Sequence, residues 1–326
     1  MIKLACINAK SSMFGGLFMN LKTWLQTGDP VLNKLVRRHL LDETLPDKEN
    51  GYISRYLDLF DESTNKWGGG IYSPKWISTH YTLMELKYLE IDPNNQKYHR
   101  GLQNLLARMW FNQGKVTKIH HQDMCVVAMM VAMAAYGKSQ DEKIDKMVDY
   151  ILNHQFPDGG WNCEWESSRK PTHSSLHTTL SVLEAFYHYL NRGYTYKKTE
   201  IQKAIPLGEE FLLKKRLFLS ERKGEVISEQ MIQFHYPERW KYDCFRALEY
   251  FQGVRLPFDE RMEPAFNLLF KKMKKGYVSR GTKYSGLIHF EIEGDDLSRF
   301  NTLKALKILK FYYPERFLTY INSEIS

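Results

Sequence analysis

Five stretches of this chain fall into a single register, and that agreement constrains the fold more than any other feature. Their first positions are His80, Asp123, His177, Tyr242 and Phe300. Three residues on stand Leu83, Val126, Leu180, Phe245 and Leu303, and six residues on stand Leu86, Met129, Leu183, Leu248 and Leu306. Nine residues on stand Leu89, Ala132, Phe186, Phe251 and Leu309. All of these follower positions are apolar, and an apolar side chain at every third residue marks one face of an α-helix. Successive starts are 43, 54, 65 and 58 residues apart, so the repeat is irregular.

Between these stretches lie Tyr98–Trp110, Lys143–His154, Ile201–Lys214 and Arg261–Lys274. They are richer in Lys, Asp and Glu, as expected of helices with one face in water. Each is followed by a glycine-bearing turn, at Gly114, Gly159-Gly160, Gly224 and Gly276. Val31–Leu41, entered through Asp29-Pro30, and Ile53–Phe60 add two predicted helices upstream. Lys115–Ile119 and Gly286–Ile292 read as short strands within loops. The expected class is all-α, with apolar inner helices alternating with amphipathic outer ones. Such a chain either stacks as an open solenoid or curls into a double-layered ring. Irregular, aromatic-laden loops before each inner helix favour the ring. One domain over residues 1–326 is expected; residues 1–29 carry little signal, and Met13 and Met19 are alternative starts.

With 43% hydrophobic residues in 326, the chain can bury a large core. The net charge of +8 would suit nucleic acid, an anionic membrane surface or an anionic substrate, although a lysine-rich solvated exterior accounts for it equally. The basic runs Lys214-Lys215-Arg216 and Lys271–Lys275 fall at outer-helix ends and read as solvated C-termini, not as a nucleic-acid site. The scattered cysteines Cys6, Cys125, Cys163 and Cys244 fit a reducing cytoplasm. The longest apolar run, Cys125–Tyr136, is about 12 residues and reads as a buried helix rather than a membrane span. Peripheral contact with a membrane stays open.

Tyr150, Ile151, Gln155, Gly159 and Trp161, with Lys146 upstream, stand at the spacing of a known turn. It resembles the Gln–Trp motif of the terpenoid cyclase and protein-prenyltransferase superfamily, with Met147 where that pattern has Gly or Ala. The complete motif occurs once. The resemblance implies an α/α toroid over roughly residues 65–315, with inner helices around an apolar pocket. It also implies that Gln155 caps a neighbouring helix while Trp161 stacks beneath it, both serving stability.

Site expectations follow from the same resemblance. Prenyltransferases hold zinc through an Asp-x-Cys at one inner-helix start and a His at the next, which here maps onto Asp123, Cys125 and His177, with His120 and His121 adjacent. These donor types suit a tetrahedral Zn²⁺ with one open place. The alternative is that Asp123 caps its helix, Cys125 packs in the core and His177 bonds a backbone group. Class II cyclases protonate an alkene with the middle Asp of Asp-x-Asp-Asp; the nearest match is Glu293-Gly294-Asp295-Asp296, with Asp295 as acid and Glu293 and Asp296 raising its pKa. A histidine at the rim, such as His177, is another proton source. The alternative there is an acidic loop with Ser298 as a helix cap.

Aromatic faces steady carbocations. Trp76, Tyr81, Trp165, Trp240, Tyr242 and Phe300, with His80 and His173, are the expected substrate lining. Arg239, Arg246 and Arg299 would grip a diphosphate or pair with nearby acids. No Asp-Asp-x-x-Asp magnesium site, phosphate loop, dinucleotide fingerprint or serine elbow is present.

The leading expectation is an isoprenoid-handling enzyme with a polyprenyl substrate in an aromatic central cavity. Behind it stand a zinc-dependent prenyltransferase-like enzyme and a non-catalytic toroid that binds a lipid or protein. A glycan-processing toroid is the remaining reading, and a wet, carboxylate-lined groove instead of a dry cavity would mark it.

Overall fold

The computed structural model describes residues 19–110, 122–163, 171–273, 276–293 and 297–325. Among the described residues the chain is all-α, with thirteen α-helices and four strands of two residues each. The helices are α1 (Leu21–Gln26), α2 (Pro30–Leu40), α3 (Gly51–Asp58), α4 (Thr79–Tyr88), α5 (Gln96–Met109), α6 (Met124–Tyr136) and α7 (Lys143–Leu152). They continue with α8 (Leu176–Asn191), α9 (Lys198–Lys214), α10 (Cys244–Gly253), α11 (Glu263–Lys272), α12 (Arg299–Tyr312) and α13 (Pro314–Ile321). Of the strands, β1 (Met19–Asn20) pairs antiparallel with β4 (Glu324–Ile325), and β2 (Val278–Ser279) pairs antiparallel with β3 (Leu297–Ser298).

Local chemistry sets the helix starts. Asp29 Oδ1 accepts from Val31 N at 2.9 Å ahead of Pro30, Asp243 Oδ1 accepts from Arg246 N at 2.8 Å, and Ser298 Oγ accepts from Asn301 N at 2.9 Å. Each bond satisfies an amide that the helix leaves open. Every residue three, six or nine positions into the five-fold register is buried, at 5% exposure or less. The helices α4, α6, α8, α10 and α12, expected as the inner ones, carry it.

Contacts between these helices run in order. The α4 helix packs on α6, α6 on α8, α8 on α10, α10 on α12, and α12 on α2, while α2 reaches α4 through α3. The amphipathic helices lie against this series: α5 on α4 and α6, α7 on α6, α9 on α8, α11 on α10 and α13 on α12. One strand expectation is corrected. Gly286–Ile292 is not a strand; it makes one reciprocal backbone pair with the loop before α4, Trp76 N to Leu287 O and Leu287 N to Lys75 O, each 2.8 Å. Gly286 there has φ +145°, which ends any regular pairing. The Lys115–Ile119 strand expectation lies outside the described residues.

The turn before α8 locks inner and outer helices together. Gln155 Nε2 donates to Gly159 O at 2.7 Å and to Ala204 O of α9 at 3.0 Å. Trp161 is fully buried; its indole donates to Ile151 O of α7 at 2.8 Å, and its backbone N–H donates to Thr179 Oγ1 of α8 at 3.0 Å. Gly208 on α9 makes room for the indole, since a Cβ there would come within 2.8 Å of it. The same set recurs before α4. Trp67 donates from its indole to Tyr56 O of α3 and from its backbone to Thr79 Oγ1, and Gly101 on α5 faces the indole. Before α12, Val278 takes the tryptophan's place, its N–H donating to Thr302 Oγ1 at 3.0 Å. Asn65, Gly159 and Gly276, each two residues ahead, share positive φ. Gln155 and Trp161 are structural. No helix among the described residues is long and apolar enough to cross a membrane.

Candidate functional site

A chamber of about 510 Å³ lies where the inner helices end. It takes Arg38 and His39 from α2, Lys87 and Tyr88 from α4, and Tyr136 from α6. Glu184 and His188 come from α8, Arg246 and Glu249 from α10, and Lys307 from α12. A smaller lobe of about 80 Å³ shares His39, Tyr88, Glu90, Glu249 and Lys307 and reaches deeper, to Glu85, Glu238, Phe300 and Lys304. The main volume is in the range of small-molecule sites, roughly 300–1,000 Å³. Its walls are charged and tyrosine-bearing.

Most of these charges neutralise one another. Glu184 receives Arg246 through two bonds, from Nε at 2.8 Å and from Nη2 at 2.5 Å. Arg246 Nη1 donates to Trp240 O and Lys241 O, so this buried guanidinium is held on every side. Lys307 Nζ lies 2.9 Å from Glu249 Oε1, and Lys304 contacts both Glu249, at 3.2 Å, and Glu238. Glu90 accepts from Arg38 at 2.6 Å and meets His39 Nε2 at 2.5 Å. Burial pushes the Glu90 carboxyl upward, but the His39 and Arg38 contacts outweigh it and hold its pKa at about 2. Burial lowers Lys87 to about 8, with Glu184 pulling the other way. Its Nζ meets His188 Nε2 at 3.2 Å, and burial holds that imidazole neutral, well below its usual range.

The opposite end, where inner helices begin, is aromatic. Trp76 meets Tyr81 edge-on at 4.8 Å, and His80 lies 5.0 Å from Tyr81 and 5.2 Å from Tyr72. His80 is fully buried, neither ring nitrogen has a partner among the described residues, and burial, with Lys75 nearby, lowers its pKa to about 3. The faces here already carry cations: Arg239 lies 5.5 Å from the Trp76 ring, and Lys75 lies 5.7 Å from both Trp76 and Trp240. Arg239 also pairs with Glu85 at 3.0 Å and Arg246 with Glu184, while Arg299 donates to Trp24 O at 3.2 Å. These arginines are held by the protein itself.

Other expected site residues separate. Tyr242 is a core residue, not a lining one: it is 1% exposed and its hydroxyl donates to Leu217 O. Phe300 stacks on Tyr236 at 4.6 Å and edges the small lobe. His173 is exposed, with Thr172 Oγ1 at 3.4 Å from its Nδ1. Glu293 Oε1 accepts from Phe300 N at 2.9 Å, which makes it a clamp on the start of α12, and burial raises its pKa. Asp295, Asp296 and Trp165 lie outside the described residues, as do His120 and His121.

The zinc donors do not assemble as expected. Among the described residues no group of three His, Cys, Asp or Glu side chains is placed to hold a metal. His177 Nδ1 accepts from Tyr242 N at 2.9 Å, and burial holds the ring neutral, with its pKa at about 4. Asp123 stands at the start of α6 without a side-chain cap bond. Cys125 instead faces Cys163, with their sulfurs 3.2 Å apart. Cys163 was not singled out by spacing; it sits two residues past Trp161, whose backbone is pinned to α8, and that anchor delivers the thiol to the start of α6.

Apart from Arg246, the chamber residues were the larger omission. Their signal was charge on otherwise apolar helices: Glu85 and Lys87 in α4, Glu184 in α8, Glu249 in α10, and Lys304 and Lys307 in α12. A charge inside an apolar helix is buried only if it is paired or functional. No protein-family model matches this chain, and no curated protein matches it.

Proposed function

We propose that this chain is an α/α toroid whose central chamber binds a polar, hydroxyl-bearing small molecule, with carbohydrate as the ligand class. The toroid reading is supported by the helix contacts, which return from α12 to α2, and by a single chamber that draws side chains from α2, α4, α6, α8, α10 and α12. The observation that carries the polar reading is the chamber's wall: ion pairs alternate with Tyr88, Tyr187 and Tyr250. Hydrocarbon in such a space would strip water from ionised groups and return nothing. Sugar hydroxyls replace that water with donors and acceptors of their own. Because Arg38 and His39 hold Glu90 ionised and cations occupy the oxygens of Glu184 and Glu249, the arrangement suits binding more than proton donation.

The isoprenoid reading keeps one supporting observation, the aromatic cluster of Tyr72, Trp76, His80, Tyr81 and Trp240 at the other end. Calorimetric titration separates the two. Mono- and oligosaccharides are expected to bind the wild type, and Glu249→Gln is expected to weaken them by about tenfold, as loss of a charged hydrogen bond would. Binding of farnesol or geranylgeraniol with no saccharide binding would return the isoprenoid reading to first place.

A further inference from the structure

Lys87 and Arg192 stand apart from every other cation at the chamber. Arg38, Arg246, Lys304 and Lys307 each have a carboxylate within salt-bridge distance. Among the described residues Lys87 has none; its Nζ meets neutral His188 at 3.2 Å and lies 4.2 Å from the Tyr88 ring centroid. Arg192, which closes α8 one turn beyond His188, has among the described residues only the Tyr136 ring, 4.9 Å from its guanidinium carbon. All five of these groups line the main lobe. Glu184 and Glu249 are the nearest source of negative charge to Lys87, but their oxygens serve Arg246, Lys304 and Lys307.

A buried ammonium is costly unless something compensates it. Lys87 is 7% exposed, sits beside a second cation and raises the local potential of a chamber that is otherwise self-neutralised. Helix-end carbonyls of α8 offset part of Arg192's charge, but not that of Lys87, which projects from α4. Among the described residues no carboxylate supplies the remaining counter-charge at salt-bridge distance from Lys87.

We infer that Lys87 and Arg192, with His188 as a neutral hydrogen-bonding neighbour, form a subsite for an anionic oxygen group, so that the chamber's ligand is an acidic sugar bearing a phosphate or a carboxylate. The inference rests on the carbohydrate reading for the sugar, but not for the anion. Arginine offers a planar fork and lysine a point charge, a pairing suited to tetrahedral phosphate and planar carboxylate alike. The chamber's carboxylates, already paired, leave that end of the cavity as its most positive wall.

Titration of the full chain with inorganic phosphate, glucose, glucose 6-phosphate and glucuronate tests this. Glucose 6-phosphate or glucuronate is expected to bind about 10- to 100-fold more tightly than glucose, the gain of one or two charge-assisted bonds. Whichever acid gains more identifies the anion's chemistry. Lys87→Met and Arg192→Met, checked for native circular dichroism, are each expected to reduce that gain to near unity. Acidic sugars that bind no better than glucose would overturn the subsite and leave the carbohydrate reading intact. Inorganic phosphate that binds and is lost in Lys87→Met, with no sugar binding at all, would keep the subsite and overturn the carbohydrate reading. If Lys87→Met unfolds, Arg192→Met alone decides: an unchanged preference for the acidic sugar in that variant counts against the subsite.

Discussion

The two ends of the same inner helices are built on opposite principles. Where α4 and α8 begin, Trp67 and Trp161 fill space against a glycine of α5 and α9, and each tryptophan spends its indole N–H on a backbone carbonyl and its backbone N–H on a threonine hydroxyl. Where they end, Lys87, Glu184 and His188 face a cavity, and their interactions are ionic and partly open. The first arrangement repeats with little variation; the second uses different residues on each helix. Repetition marks a solution to a packing problem that every repeat shares, whereas divergence among buried charges marks a site where the fold itself demands nothing specific.

Removing Trp161 tests the structural end most severely. Trp161→Ala is expected to cost about 3–5 kcal/mol in chemical denaturation, from lost burial and the cavity left between α7, α8 and α9. A change under about 1 kcal/mol would mean that the turn does not hold the helices together.

The charged end should answer to pH instead. Glu90, at about 2, titrates well below the 4.5 of an ordinary glutamate. A depressed carboxylate contributes stability above its unfolded pKa and loses it as pH falls through the folded value, so the Glu90 contribution fades from about pH 4.5 to about pH 2. With the side chain 26% exposed, that contribution is on the order of 2 kcal/mol. Denaturation midpoints measured across this window are expected to fall less steeply in Glu90→Gln than in the wild type; parallel curves would show that His39 and Arg38 do not hold this carboxylate.

The smallest effect is expected from a single turn hydrogen bond. Thr179→Val keeps the shape of the side chain and deprives Trp161 N–H of its acceptor, which should lower stability by about 1–2 kcal/mol and leave sugar titration unchanged. If this variant altered ligand affinity, the separation between a structural end and a binding end would fail.

The sequence alone went far with the helices because their information is local. An apolar residue at every third position fixes which face of α4, α6, α8, α10 and α12 is buried, and Asp29-Pro30 or Ser298 fixes where a helix starts. The Gln155–Trp161 turn was legible for the same reason: its glycine, glutamine and tryptophan act within a few residues of one another. The site was not local. Arg239 meets Glu85 across 154 residues of chain, Arg246 meets Glu184 across 62, and Cys163 meets Cys125 across 38. Periodicity assigns each charge to a helix but cannot say which other helix it will face. Nor could it distinguish His177 as a ligand from His177 as an acceptor for the Tyr242 amide, since both need the same residue at the same helix start. The helices and their buried faces were set by the order of residues; the charged chamber, the thiol pair and the cation pair at Lys87 and Arg192 exist only because packing brings distant charges within the few ångströms over which they interact.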